Sequence, residues 1–397
     1  MSRIEELIEQ YCPEGVEFKA LGEFCNVLRG KRLTKKELLE DAPFPVFHGG
    51  LEPLGFYTER NRDANTVMII NVGASAGTVG YSSVDFWSSD GCYCISQSDV
   101  VTAKFLYYAL IIQENTLKSN VRKAGIPTLD SLAILKIQIP VPPLPVQEEI
   151  VRILDKFTEL EAELEAELEA RKKQYEFYRN KLLTPIEENG KWMMNGEEVE
   201  WKMLGEFGEF TRGSGLQKSD FTATGIGCIH YGQIYTYYGL SADKTKTFVS
   251  TELANKLRKA KKGDLIIATT SENIEDVCKA VVWLGDEEIA ISGETYIFNH
   301  NQNAKYIAYN LQTPSFQEFK KYNRTGTKVI RVHGDKLKQF RIPIPPLSEQ
   351  ERIVSILDKF YSLVNDISIG IPAEIEARRK QYEYYRNKLL SFKRKES

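Results

Sequence analysis

One long motif occurs twice in this chain. Ile139 to Phe157 reads IPVPPLPVQEEIVRILDKF, and Ile342 to Phe360 reads IPIPPLSEQERIVSILDKF. Further on, ARKKQYEFYRNKLL (Ala170 to Leu183) returns as ARRKQYEYYRNKLL (Ala377 to Leu390). Nearer the start, VEFKALGEF (Val16 to Phe24) returns as VEWKMLGEF (Val199 to Phe207). Arg29-Gly30 aligns with Arg212-Gly213, Leu33 with Leu216, and His48 with His230. A repeat this long means two like structural units. Two like units related by a rotation suit a target that is itself two-part. Between the anchors the copies diverge: NVGASAGTVG (Asn71 to Gly80) stands where the second copy has TTSENIEDVCKA (Thr269 to Ala280). A constant frame therefore presents two different surfaces, whereas drift without purpose would have worn the frame as well.

Two domains plus connecting elements are the natural reading of 397 residues. The composition, 42% apolar and 27% charged, is that of an ordinary globular chain. No apolar run is long enough to cross a membrane, and MSRIEELIEQ is an acidic amphipathic start, not a secretory signal. The six cysteines lack paired CxxC spacing, so neither a zinc site nor a disulfide framework is indicated, and reduced thiols in the cytoplasm are expected. The net charge of -3 does not advertise nucleic-acid binding. The charge is uneven, however. Arg29, Lys31, Arg32, Lys35 and Lys36 form one basic cluster, and Lys256, Arg258, Lys259, Lys261 and Lys262 another. Such patches bind phosphate even when the sum is acidic, although each also reads as a solvated face.

Each half mixes short strands and helices. Thr66 to Val72, Ile134 to Ile139 and Val84 to Trp87 read as strands in the first half, and Lys104 to Gln113 as a helix. The second half offers strands at Asp264 to Ala268, Ile289 to Ile291 and Thr295 to Phe298, and a helix near Lys305 to Leu311. Prolines close both halves: Pro140, Pro142, Pro143 and Pro145, then Pro343, Pro345 and Pro346. Helices follow, with Ser348 and Glu351 at capping-box spacing and Pro145 near a first turn.

The first helix runs unbroken to about Leu183. Val146, Ile150, Ile153, Phe157, Leu160, Leu164, Leu168, Tyr175, Tyr178 and Leu182 form a coiled-coil seam with one stutter. The stutter falls in ELEAELEAELEA (Glu159 to Ala170). The second helix follows Ile353, Leu357, Phe360, Val364 and Ile367, breaks near Gly370, restarts at Pro372 as a first helical residue, and resumes the seam at Tyr382, Tyr385 and Leu389. Each seam needs a cover. The other copy is the simplest one, and a helical dimerisation device is the competing use. Antiparallel helices of this length span roughly 60 Å.

These residues carry a family resemblance over essentially the whole chain. IPxPPLxxQExIVxILDKF, ARxKQYExYRNKLL and the two variable halves resemble the specificity subunit of a type I restriction–modification enzyme. The resemblance implies an α+β fold: two mixed α/β target-recognition domains joined by two long antiparallel coiled-coil helices, with a pseudo-twofold internal repeat. The expected boundaries are 1–145 and 191–347 for the domains, and 146–190 and 348–397 for the helical regions. Each domain would read one half of a bipartite double-stranded DNA sequence, and the helices would set the gap and dock two methylation subunits. The chain would be non-catalytic. Adenine-N6 methyl transfer and ATP-driven cleavage would belong to methylation and restriction (motor/nuclease) subunits, and S-adenosylmethionine, ATP and Mg to those partners. The residues agree: there is no GxxxxGK[ST] loop, and the Pro-Pro pairs precede Leu144 and Leu347 in place of the aromatic of an adenine methyltransferase motif. Gly73, Gly77 and Gly80 have the wrong spacing for a dinucleotide fingerprint.

Groove reading needs side-chain donors and acceptors on rigid loops, and phosphate contacts need cations and hydroxyls. The candidates in the first domain are Arg29, Lys31, Arg32, His48, Gly49, Ser75, Arg122 and Lys123. In the second they are Arg212, Ser214, Lys218, His230, Tyr231, Gln233, Ser271, Asn273, Arg324 and Lys328. The matching places of His48 and His230 favour a role in the frame. Phe177 and Tyr384 fall off the seam and are expected, with Arg179 and Arg386, to face helices of the methylation subunits, the neighbouring domain being the other possible cover for the two rings. The rival readings are a stand-alone methyltransferase, which binding of S-adenosylmethionine by the chain would revive, and a coiled-coil scaffold without DNA contact, which sequence-selective protection of DNA would exclude.

Overall fold

A computed structural model describes residues 3–366 and 368–396. The chain forms two compact units, Met1–Leu164 with Ile375–Ser397, and Glu165–Glu374. The expected boundaries kept domains and helices apart. Compactness groups them differently, because the helix Leu144–Leu183 gives its first half to one core and its second half to the other.

In the first unit, the fully buried strand Thr66–Ile70 is central to a sheet ordered Val27–Leu28, Cys92–Ile95, Thr66–Ile70, Val79–Ser82. A smaller sheet pairs Phe44–Phe47 antiparallel with Gly55–Tyr57 and parallel with Trp87–Ser88. Helix Ala103–Ile112 begins at Thr102, whose hydroxyl accepts from Phe105 N, and buries Phe105, Leu106, Tyr108, Ala109 and Leu110. The second unit repeats this plan with longer sheets. Leu265–Ala268 lies between Thr295–His300 and Ala280–Trp283, while Ile226–Ile229 pairs parallel with Ile289–Ile291.

Matching polar contacts seat the two repeated helices. Gln147 is fully buried, donates to Val100 O and Pro142 O, and accepts from Thr102 N. Gln350, its counterpart, donates to Gln302 Oε1 and Pro345 O and accepts from Asn303 N. A buried amide with every group partnered fixes one docking angle, since any other leaves polar atoms dry. Tyr108 donates to Asp155, as Tyr309 does to Asp358, and Lys104 and Lys305 add their ammoniums to those carboxylates.

The seam closes within each unit. In the first, Phe157 stacks on Tyr385 with centroids 5.4 Å apart, and Arg379 Nε donates to Glu161 Oε1. One helix ascends as the other descends, so the pair is antiparallel. In the second, Tyr178 stacks on Phe360, also at 5.4 Å, and Tyr175 meets Tyr361 edge-on. Phe157 and Phe360 are equivalent, as are Tyr178 and Tyr385, so one stack is built twice with the roles exchanged. Leu154 lies outside the expected seam yet is fully buried with Val146 and Ile150. The helix therefore starts with a second apolar face, turned to its own domain. A backbone segment also pairs with the start of each repeat. Val16 N donates to Lys393 O at 2.8 Å, and Lys395 N to Val16 O at 3.0 Å. Val199, the counterpart of Val16, donates instead to Trp192 O at 2.8 Å.

Several expectations are corrected. Ile134 belongs to a helical turn, Ser131–Leu135, capped by Asp130, and only Gln138–Pro140 is strand. Val84 is 54% exposed between two strands, and pairing resumes with a lone bridge of Phe86 to Arg62 before the strand at Trp87. The second repeated helix begins at Leu347, directly after Pro346, so Ser348 lies inside its first turn and is not the cap. The last helix begins at Ile371, which makes Pro372 its second residue. Ile367 lies outside the described residues. All six cysteines are free and buried. No helix among the described residues is long and apolar enough to cross a membrane.

Candidate nucleic-acid interface

The repeated Arg-Gly pair has a steric cause. A Cβ on Gly30 would lie 1.9 Å from Ser89 O, and one on Gly213 would lie 2.1 Å from Ser292 O. Only glycine lets the backbones approach so closely. The preceding arginines, Arg29 and Arg212, are thereby held at one place in both domains, and both are exposed.

Backbone hydrogen bonds extend this equivalence into the diverged segments. Asn71 N donates to Gly91 O, and Thr269 N to Glu294 O. Leu129 N donates to Asn71 O, and Val332 N to Thr269 O. Arg122 and Thr128 exchange two bonds across a hairpin, as Thr325 and Arg331 do. Both hairpins turn through a glycine with positive φ, Gly125 at 78° and Gly326 at 83°. Asn71 thus corresponds to Thr269, Gly91 to Glu294 and Thr128 to Arg331. The backbone is shared while the side chains differ.

In the first domain these segments frame a cleft of about 490 Å³, lined among others by Arg32, Lys35, His48, Asn71, Gly91 and Thr128. His48 Nδ1 accepts from Gly91 N at 3.1 Å and lies 3.2 Å from Asp90 Oδ1. A Cβ on Gly49 would lie 3.6 Å from the carbonyl oxygen of Val72, a residue that lines this cleft. Lys31 bonds Ser88 O through its backbone and extends its ammonium over the Trp87 ring. Ser75 lies half-buried in the loop that Gly73 ties to Pro127 O, hence next to the hairpin bearing Arg122 and Lys123. Of the expected residues of this domain, Arg32 and His48 line the cleft. Asn71, which sequence reading missed, is 6% exposed and its Oδ1 has no hydrogen-bond partner.

The second domain divides its expected residues in two. His230 is 7% exposed and caps a helix, with Gly232 N donating to its Nδ1. Burial, and then the charge of Lys218, lowers its pKa, so it is neutral at neutral pH. Gln233 accepts from His230 N and donates to Thr247 Oγ1. Tyr231 N donates to Ser292 Oγ. Asn273 bonds Asp276 with both ends of its amide, and Ser271 Oγ accepts from Asn273 N. These groups hold turns within the domain. By contrast, Arg212, Lys218, Arg324 and Lys328 are exposed. Ser214 Oγ accepts from Arg258 N, which joins this edge to the second basic cluster.

A carboxylate organises the arginines here. Glu294 Oε1 lies 3.6 Å from Arg212 Nη2, and its Oε2 lies 3.5 Å from Arg331 Nε. Thr270 donates its hydroxyl to the same carboxylate. The Thr270 bond, with Arg331 and Arg212 beside it, holds Glu294 below the usual carboxylate range. Arg331 and Glu294 were not among the expected residues, because their adjacency depends on the pairing of Thr270 with Arg331.

On the helices, Phe177 and Tyr384 are each 60% exposed, at equivalent positions. Arg179 and Arg386 are half-buried, and each lays its guanidinium over the ring of the preceding tyrosine, Tyr175 or Tyr382, at 5.3 Å. They brace the helices, while the rings of Phe177 and Tyr384 lie outward, edge-on to Tyr178 and Tyr385.

The family model "Type I restriction modification DNA specificity domain" matches residues 13–170 and 196–377. The specificity subunit of the Escherichia coli type I restriction enzyme EcoR124I/EcoR124II is 35% identical over 303 residues, covering 74% of this chain and 72% of that one. A Haemophilus influenzae protein bearing a type I specificity-subunit name is 31% identical over 417 residues, covering 98% of each. The crystal structure of a type I S subunit from M. genitalium superposes with a TM-score of 0.58 at 16% identity, covering 95% of this chain and 96% of that one.

Proposed function

The chain belongs to the type I restriction–modification DNA specificity family, and from that premise we propose that it is the sequence-reading, non-catalytic subunit of such a complex. Each domain reads one half of a bipartite DNA target. One observation carries this reading: both domains keep the same backbone hydrogen bonds around a spot where their side chains differ, as two readers of different half-sites require. Basic residues beside that spot position the duplex through its phosphates, and polar side chains at its centre sort the bases. The paired helices set the half-site separation, and their matched outward aromatics, Phe177 and Tyr384, each dock one methylation subunit. Restriction subunits join that assembly in the cytoplasm. Methyl transfer to adenine N6, with S-adenosylmethionine, and ATP- and Mg-dependent cleavage belong to those partners.

The test is co-expression with the methylation subunit in a methylation-free host, followed by genome-wide mapping of N6-methyladenine. One motif of two short halves around a fixed gap is expected. A stable complex that leaves the genome unmethylated and protects no DNA sequence would overturn the reading in favour of a scaffold.

A further inference from the structure

We propose that Arg331, held by Glu294, reads a guanine in the half-site of the second domain. This rests on the DNA-reading function above and adds a residue and a base to it.

The place is marked by the shared backbone. Where the second domain carries Glu294 and Arg331, the first carries Gly91 and Thr128. A Cβ on Gly91 would lie 2.7 Å from the His48 ring, so the first domain has no room for a side chain at the position where the second carries Glu294. One frame position thus holds an open cleft in one domain and an arginine on a carboxylate post in the other.

The chemistry follows from which atoms are occupied. Glu294 is fixed from below by the hydroxyl of Thr270, which is 7% exposed. It engages Arg331 through Nε. That leaves the two Nη groups of Arg331 side by side, and its side chain is 48% exposed. Two parallel N–H donors match the O6 and N7 acceptors of guanine in the major groove, and no other base pair offers that pair of acceptors in one plane. Arg331 also lies on a strand paired with Thr270, so its Cα is held by backbone bonds on both sides. Arg212 is anchored twice, by Gly293 O at 3.0 Å and by Glu294, and braces the same carboxylate. Two guanidiniums on one carboxylate leave a net positive charge, which suits an acceptor edge flanked by phosphates.

The experiment compares the wild-type chain, Arg331→Lys and Glu294→Gln, each assembled with the methylation subunit. The methylated motif is mapped first. Arg331→Lys keeps the charge but loses the planar fork. Expected is loss of discrimination at a single G·C position, confined to one half-site, with the other half unchanged. Glu294→Gln should shift the same position in the same direction. Binding to a duplex with 7-deazaguanine at that position then removes the N7 acceptor. The wild-type complex should bind it about 5- to 150-fold more weakly, and the Arg331→Lys complex should be indifferent. The idea is overturned if Arg331→Lys keeps every motif position and binds all sequences as the wild type does, as a phosphate contact that needs only the charge would. It is equally overturned if 7-deazaguanine costs the wild-type complex nothing, a measurement that stands even if the variants assemble poorly. A wild-type complex that methylates no bipartite motif would fail earlier, and the DNA-reading function would fall with this assignment.

Discussion

His300 shows how a single residue ties this fold to pH. It sits at the end of strand Thr295–His300, its ring 5.2 Å from that of Phe298, and its Nδ1 accepts from Gln302 N. Burial pushes its pKa down to about 4 from an ordinary 6.5. The unfolded chain therefore binds a proton that the folded chain refuses. Stability is fully present above about pH 6.5 and is lost as pH falls through about 4. The second unit should weaken by up to about 3 kcal/mol across that window. His300→Gln should remove this part of the slope, as measured by hydrogen exchange of the amides in Leu265–Ala268 at several pH values. An unchanged slope would show that other groups carry it. The same scale shows what was legible in sequence. Arg29-Gly30 and Arg212-Gly213 stood out because a steric need repeats as a motif. The Glu294–Arg331 contact did not, because diverged residues have no partner copy to flag them.

At the scale of elements, the helix Leu144–Leu183 holds three tandem ELEA units, and the boundary between the compact units falls at Leu164 and Glu165, inside them. Removing four helical residues shortens the helix by about 6 Å and rotates it by about 40°, against about 3.4 Å and 36° for one base pair. Deleting one ELEA unit should keep the apolar positions on one face and shorten the tolerated spacer by about one or two base pairs. The methylated motif of the deletion variant reports this directly, and an unaltered spacer would refute it. Helix periodicity was readable because 3.6-residue spacing is local. Its second face, at Leu154, was not, because an apolar residue next to a seam reveals its target only when the domain core is in place. The turn at Ile134 was misread for a similar reason: Asp130 caps a short helix where apolar content alone reads as strand.

For the whole molecule, the last residues of the chain complete the first domain. Lys393 and Lys395 pair with Val16, and Arg394 sits over the Phe18 ring at 4.7 Å. Gly15 adopts φ +106° there, and a Cβ on it would lie 2.6 Å from Lys393 O. Truncation after Leu390 should cost the first unit about 1–3 kcal/mol. Amides of Phe18–Ala20 should then exchange faster, while those of Glu200–Met203 in the second unit stay unchanged. Equal loss in both would contradict this division. By itself the sequence determined that there are two like domains, where the repeated long helices run, and which glycines and prolines punctuate them, because repeats, periodicity and backbone sterics are written in local order. Only the tertiary structure decided which diverged side chains meet. Those contacts, from Asn71 in its cleft to Arg331 on Glu294, are set by strand register across distant segments, and no local pattern encodes that register.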